Sequence, residues 1–417
     1  MKTEARFFRH DSGRIVAALT RVFGIHNLAL SEDVVQDAFC RALEVWKFNG
    51  LPENPSAWLM KAAKNRALDI LRHERKVSNF APELGRLLES EWTLVPTVNE
   101  LFEPKAITDE QLQMMFSCCH SKLPEHSQVA LILNILCGFS LAEIAHAFFS
   151  SEEATEKRVT RAKALLSRSR KLFELRKSKD FPTRLSAVQR ALYLLFNEGY
   201  HGACSKSAIR IDLCQEAIRL AALLLENALT ATSSTYALSA LFCLDAARLP
   251  ARLDDTGALV PLLHQDRSRW DQALIAEGHR LLEQSAVGTQ LTEYHLEAAI
   301  ASVHACAASV EETDWEQIVS LYNALMQLRP SPVVALNRAI AIGQHQGPEL
   351  GLQAVQSIEE LARLAAYPFY HAALAELELR RGKAEPAARH FREAIALARN
   401  EMERRFLAQR LRACDMA

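Results

Sequence analysis

Residues 139–168, FSLAEIAHAFFSSEEATEKRVTRAKALLSR, leave little freedom of fold. Leu141, Ile144, Ala145 and Phe148 recur at i, i+3, i+4, i+7, the spacing of one buried helical face. Ser140 with Glu143 three residues on is a capping box, in which each side chain satisfies a free backbone donor, and Ser150 with Glu153 repeats the device. The second start follows Phe148 so closely that the two helices must cross steeply, the helix-turn-helix plan. Thr155, Val159, Ala162 and Leu166 then form the inner face of the second helix. Lys157, Thr160, Arg161, Ala164 and Arg168 fall on the outer one. A narrow cationic face suits a DNA major groove, where Arg or Lys reaches guanine acceptors and a Thr methyl meets a thymine methyl. A solvated basic face has the same pattern, so this stretch alone leaves both readings open.

At 417 residues the chain exceeds one ordinary core, and about two to four domains are expected. Ala and Leu dominate, Gly and Pro are few and β-branched runs are scarce, which predicts an all-α chain. A net charge of -1 excludes a globally basic nucleic-acid coat, so any DNA contact comes from local patches. Two such patches exist. One carries Lys61, Lys64, Arg66, Arg72, Arg75 and Lys76; the other runs from Lys157 to Lys179 with Glu174 as its acid. Nine scattered Cys without a CxxC motif fit a reducing cytosol. Cys118-Cys119-His120 lacks a second pair at ligand spacing, so neither metal nor cofactor is expected. Gly-rich phosphate loops, GxSxG and HExxH are missing from the sequence, and no enzymatic activity is expected. No signal peptide opens the chain and no apolar run nears the roughly 18 residues that span a bilayer, so a cytoplasmic chain without membrane insertion is expected.

Upstream, Arg14 to Phe23 reads as a first helix. Ser31 caps a second, with Val35, Phe39, Leu43 and Trp46 inside and Asp33, Gln36, Asp37 and Arg41 outside. Asn49 to Pro55 is a Gly- and Pro-punctuated loop. Ser56 caps a third helix, with Leu59, Ala63, Ala67, Ile70 and Leu71 inside and Lys61, Lys64, Asn65, Arg72 and Arg75 outside. Val77 to about Lys105 reads as an irregular acidic tether. In the last third, Ile318, Tyr322 and Leu325, then Gly351, Val355 and Ile358, then Ala387, Phe391 and Ala394 repeat one register about every 33 to 36 residues. That is the period of tetratricopeptide (TPR) helix pairs. Tyr367 to Arg399, with Gly382 at its turn, is the best copy. Two polar groupings, Glu198 with its aromatic neighbours and the run from His264 to Asp271, read as core corners or interhelical ion pairs.

SEDVVQDAFCRALEVW, the Pro-rich loop and AWLMKAAKNRALDILR together resemble region two of the extracytoplasmic-function (ECF) sigma factors of bacterial RNA polymerase. ITDEQLQMMFSCCHSKLPEHSQVALIL through RVTRAKALL resembles region four of the same family, in the same order. With the TPR-like tail, the whole chain resembles the subgroup bearing such an extension. The resemblance implies a region-two domain at 1–77, a flexible linker at 78–105, a region-four helix-turn-helix at 106–177 and a helical TPR-like domain at 183–417. It implies a promoter-specificity subunit without catalysis of its own, whose partners are promoter DNA and the clamp helices of the polymerase's largest subunit. The C-terminal helical domain is expected to control access or to recruit a further protein partner. For the upstream element it assigns Lys157, Thr160 and Arg161 to bases and Arg158, Lys163 and Arg168 mainly to phosphates. For the downstream element it matches Asn65 to a base-reading position. Lys61, Lys64, Arg72 and Arg75 go to the opened strand, and the loop at 49–54 to an extruded base. Trp58 either stacks on a base or packs in the core. Asp33, Gln36, Asp37 and Arg41 match the polymerase-docking surface. Two rivals differ in class: a helix-turn-helix regulator with a TPR sensor that acts without polymerase, and an enzyme built around Glu198 or Asp266.

Overall fold

Helical periodicity governs the computed structural model, which describes residues 2–73, 99–100, 102, 104–148, 150–168, 181–201, 209–254 and 258–414. The chain is all-α, and a lone bridge between Leu253 and Leu259 is the only extended pairing among the described residues. None of the described helices is long and apolar enough to cross a membrane. Backbone contacts divide the chain into Met1–Leu195 and Phe196–Ala417.

The first unit contains α1 (Lys2–Phe23), α2 (Leu28–Asn49), α3 (Pro55–His73), α4 (Pro104–Cys118), α5 (Glu125–Leu131), α6 (Leu141–Ala147), α7 (Glu152–Ser167) and most of α8 (Phe181–His201). A π turn at Ile132–Leu136 continues α5. α1 is the hub, packing on α2, α3, α4 and the π turn through Ile15, Leu19, Val22 and Phe23. It extends well upstream of Arg14, beginning at Lys2. Two contacts explain the difference. Asp11 is fully buried and accepts a 2.5 Å hydrogen bond from the Ser56 hydroxyl, tying α1 to the start of α3. Gly13 is a point of close approach rather than a helix breaker: a Cβ there would lie 2.0 Å from the carbonyl oxygen of Leu136. The segments expected as two domains therefore pack within one unit.

The other helix starts also move. α2 begins at Leu28, so Ser31 sits inside the helix and is buried instead of capping it. Its core stripe is Val34, Val35, Ala38, Ala42 and Trp46; Phe39 is half-buried and Leu43 is exposed. The stripe follows Ala38 and Ala42, and Leu43, the next residue round the helix, falls outside it. α3 is capped by Asn54, whose Oδ1 accepts from Ala57 N–H at 3.0 Å, with Pro55 in the first helical position. Ser56, the expected cap, is spent on Asp11. Leu59, Ala63, Ala67 and Leu71 are buried as the spacing predicts, with Leu68 rather than Ile70 completing the stripe. Trp58 packs edge-on against Trp46 at 5.6 Å.

The second unit runs through α9 (Ile211–Glu226), α10 (Ser233–Ala246), α11 (Gln272–Ser285), α12 (Glu293–Cys306), α13 (Trp315–Leu328), α14 (Pro332–Gln346), α15 (Pro348–Gln356), α16 (Pro368–Arg380), α17 (Ala384–Leu397) and α18 (Glu401–Cys414). Consecutive helices pack on each other from α9 to α18. α13, α15 and α17 start at Trp315, Pro348 and Ala384, intervals of 33 and 36 residues. Ile318, Leu325, Gly351, Val355, Ile358, Ala387, Phe391 and Ala394 are all buried. Gly382, at φ 70°, closes α16 in a left-handed turn that other residues adopt only with strain.

The polar run from His264 to Asp271 resolves into helix caps instead of interhelical ion pairs. Asp271 accepts from Ala273 and Leu274 N–H at the start of α11. Asp266 caps the short turn Arg267–Arg269, and the hydroxyl and N–H of Ser268 hold its carboxyl below the usual carboxylate range. Arg267 reaches across to the end of α12 and donates to the carbonyls of His304 and Ala307 at 2.9 and 2.7 Å. Burial, reinforced by Arg248 and Arg267, holds the His304 imidazole down to about 3.

Two outcomes are expected. Gly13→Ala forces α1 off the π turn and costs about 1–3 kcal/mol, read as a lower urea midpoint; an unchanged midpoint contradicts the close approach. His304 is protonated in the unfolded chain below its ordinary value of 6.5 but not in the folded chain until about 3. Stability is therefore full above the higher value and falls as pH drops toward the lower one, by roughly 1 kcal/mol per pH unit. Urea titrations at about pH 7.5 and 5 show this slope reduced in His304→Phe; equal slopes contradict a buried neutral imidazole.

Candidate nucleic-acid interface

The outer face of α7 is set by the turn before it. Ser140 N–H donates to the Glu143 carboxylate at 3.0 Å, and Glu143 N–H returns a bond to Ser140 Oγ at 3.3 Å, so the first capping box forms as its sequence predicts. The second does not. Ser151 caps α7, its Oγ accepting from Ala154 N–H at 3.2 Å. Ser150 shares a 2.7 Å hydroxyl contact with Thr155, which is fully buried and needs a local partner. Thr155, Val159, Ala162 and Leu166 are all buried, and α7 packs on α5, α6 and the turn at Ile25–Asn27. Behind this helix, burial pushes the Cys118 thiol up to about 12 and the Cys119 thiol well above its ordinary range, so both stay protonated.

That packing turns Lys157, Thr160, Arg161, Ala164 and Arg168 into solvent, with Arg158 half-buried. Lys157 lies 2.5 Å from Glu153 one turn back, an exposed pair worth at most about 1 kcal/mol and easily exchanged for a phosphate. Lys163 faces elsewhere. Its Nζ lies 2.5 Å from the Glu32 carboxylate of α2, with about a quarter of each side chain exposed. Of the six cations and hydroxyls expected to meet the upstream element, it alone is drawn into a contact between α7 and α2.

On α3, Lys61, Asn65 and Arg72 are exposed and Lys64 is half-buried. Arg72 neighbours Asp69 at 3.7 Å. Arg75 and the linker residues 78–98 lie outside the described residues. Asp33, Gln36, Asp37 and Arg41 form one exposed face of α2, where Asp37 pairs with Arg66 of α3 at 3.1 Å. Sequence reasoning missed a neighbouring feature. Leu43, Phe48 and Leu51 are exposed by 53%, 82% and 50% at the end of α2 and in the loop that follows. Large apolar side chains left in solvent along this stretch suit contact with a partner or an unstacked base. Phe48 and Leu51 flank Gly50 and belong to no inner-face register, which is the signal that would have found them.

Residues 7–77 match the family described as Sigma-70 region 2. Residues 184–286 match one described as a family of unknown function (DUF6596). An uncharacterized protein of Rhizobium meliloti (strain 1021) is 38% identical over 398 residues, spanning 95% of this chain and 92% of the relative. No solved structure shows a significant match to the chain.

The revised cap is testable. Ser151→Ala lowers the stability of the first unit by about 1 kcal/mol and Ser151→Asp restores it, both read from urea midpoints. A full loss with Ser150→Ala set beside a neutral Ser151→Ala would return the cap to Ser150.

Proposed function

The chain belongs to the family of the Rhizobium meliloti protein and carries a sigma-70 region 2, and from that premise we propose that it is an ECF-type sigma factor with a TPR-like C-terminal control domain. One observation carries the reading. A region-2 segment at 7–77 shares a unit with a helix-turn-helix whose second helix buries its apolar stripe and exposes Lys157, Thr160, Arg161 and Arg168. A promoter-specificity subunit needs both parts. One reads duplex DNA through the major groove; the other captures bases of the opened strand.

On this reading α7 enters the upstream element. Lys157, Thr160 and Arg161 meet base edges, while Arg158 and Arg168 hold phosphates, which position without specifying. Lys163 joins them once its pair with Glu32 opens. On α3, Asn65 reads a base of the downstream element, and Lys61, Lys64 and Arg72, with Arg75 beyond the helix's described residues, hold the strand's backbone. Phe48 offers a flat exposed ring beside the loop at 49–54, where an unstacked base gains about 1–3 kcal/mol by stacking. This offsets part of the few kcal/mol that extrusion costs. Asp33, Gln36, Asp37 and Arg41 dock on the clamp helices of the polymerase's largest subunit, with Arg66 orienting Asp37. The protein supplies specificity and the polymerase supplies the chemistry. The helical repeats govern access to the polymerase or recruit a protein partner.

The test is transcription in vitro with bacterial core RNA polymerase on genomic fragments, with 5′ ends mapped. The chain is expected to add discrete start sites absent with core alone. Each good base contact contributes about 1–3 kcal/mol, so Lys157→Ala/Arg161→Ala reduces initiation at those sites by about 10- to 100-fold, and Asn65→Ala and Phe48→Ala each by about 10-fold. Start sites identical with and without the chain contradict the proposal.

A further inference from the structure

In the second unit, three side chains unrelated to the DNA-facing residues converge on one point. His371 lies on α16, and His390 and Glu393 lie one turn apart on α17. One donor atom of each falls within 4.8 Å of the others. Glu393 Oε2 is 2.9 Å from Nδ1 of His371 and 3.4 Å from Nδ1 of His390. A tetrahedral ion with bonds of about 2.0–2.2 Å holds its ligand atoms roughly 3.3 Å apart, so both spacings from Glu393 suit ligands of one cation.

The His371 ring is oriented for that role. Its Nε2 lies 3.0 Å from the carbonyl oxygen of Ala365. A carbonyl only accepts, so Nε2 carries the proton, and in the neutral ring Nδ1 keeps a bare lone pair. A backbone carbonyl gripping the far N–H is how metal-binding imidazoles are commonly held. Nδ1 itself is buried and makes no hydrogen bond: Glu393 is close enough for an ion pair but lies off the direction a ring N–H requires. Among the described residues, the ion-pair partners of Glu393 are these two imidazoles, with neither Arg nor Lys in reach. The side chains of His371, His390 and Glu393 are 14%, 31% and 56% exposed, which leaves a way in from solvent.

We propose that His371, His390 and Glu393 bind a divalent transition-metal ion of the zinc class, leaving a fourth position for water or another ligand. Two imidazoles and one carboxylate suit Zn²⁺, Co²⁺ or Ni²⁺ and are poor for Ca²⁺ or Mg²⁺, which need more oxygen ligands. The ion ties α16 to α17, so binding to the folded chain stabilises the last helical repeats by mass action. The site stands independently of the sigma-factor reading.

The experiment uses the full-length chain, stripped with a chelator, dialysed and titrated with Zn²⁺. The chain has 14 histidines, so comparison with variants decides, not stoichiometry alone. The wild type is expected to retain one more equivalent of zinc than His390→Gln or Glu393→Gln, and to melt several degrees higher with zinc than without. Both variants, checked for unchanged helicity by circular dichroism, lose the extra equivalent and the shift. Substituting Co²⁺ gives the visible d–d bands of a low-coordinate site in the wild type only, and Ca²⁺ gives no shift. Equal zinc content and equal melting in wild type and variants overturns the site. So does a nitrogen NMR spectrum, unchanged by zinc, in which His371 is doubly protonated at neutral pH and simply ion-paired with Glu393.

Discussion

Burial of Thr155, Val159, Ala162 and Leu166 fixes what α7 offers to any partner. Each large apolar side chain removed from water contributes about 1.5–3 kcal/mol, whereas the exposed pair of Lys157 with Glu153 contributes at most about 1 kcal/mol. The apolar stripe therefore sets the rotation of the helix, and the surface charges follow it. Turning α7 by one residue would bury a charged side chain and expose Val159 or Leu166. Lys157, Thr160, Arg161 and Arg168 are consequently presented on a rigid support, as a base-reading element requires.

The same unit brings α1 against the π turn and α7 against α2. The first contact is close-packed around Gly13 and Leu136, and the second includes the partly buried pair of Lys163 with Glu32. They differ in strength. A seam of apolar contact resists separation, while an ion pair with a quarter of each partner exposed is screened and readily exchanged. On the proposed reading, the upstream and downstream elements are separate stretches of promoter, so the contacts that join α7 to α2 give way when polymerase and DNA bind. Lys163 then exchanges one anion, Glu32, for another, a phosphate.

Periodicity recovered much of what depends on a single helix, though it put Leu43 and Ile70 inside. The inner face of α7, the Ser140 box and the buried registers at Ile318, Val355 and Phe391 follow from spacings of three and four residues. Helix starts were less legible, because Ser31, Ser56 and Ser150 all have cap chemistry. Burial sends Ser31 into the core, Asp11 engages Ser56, and Thr155 engages Ser150. Nothing local marks Gly13 as the point where α1 meets the backbone of Leu136. Contacts between distant segments leave no local pattern. Glu32 with Lys163, Asp37 with Arg66, Arg267 with the end of α12, and His371 with Glu393 each join elements that only the fold brings together.

The central claim is that the DNA-reading surfaces act through polymerase. Fluorescence anisotropy of a labelled duplex that spans a mapped start site tests it most directly, with this chain alone, with core enzyme alone and with both. The account predicts weak, salt-sensitive binding by the chain alone and tight, sequence-selective binding only when the two are combined. Tight selective binding by the free chain, unchanged on adding core enzyme, would contradict it and identify a regulator that works without polymerase.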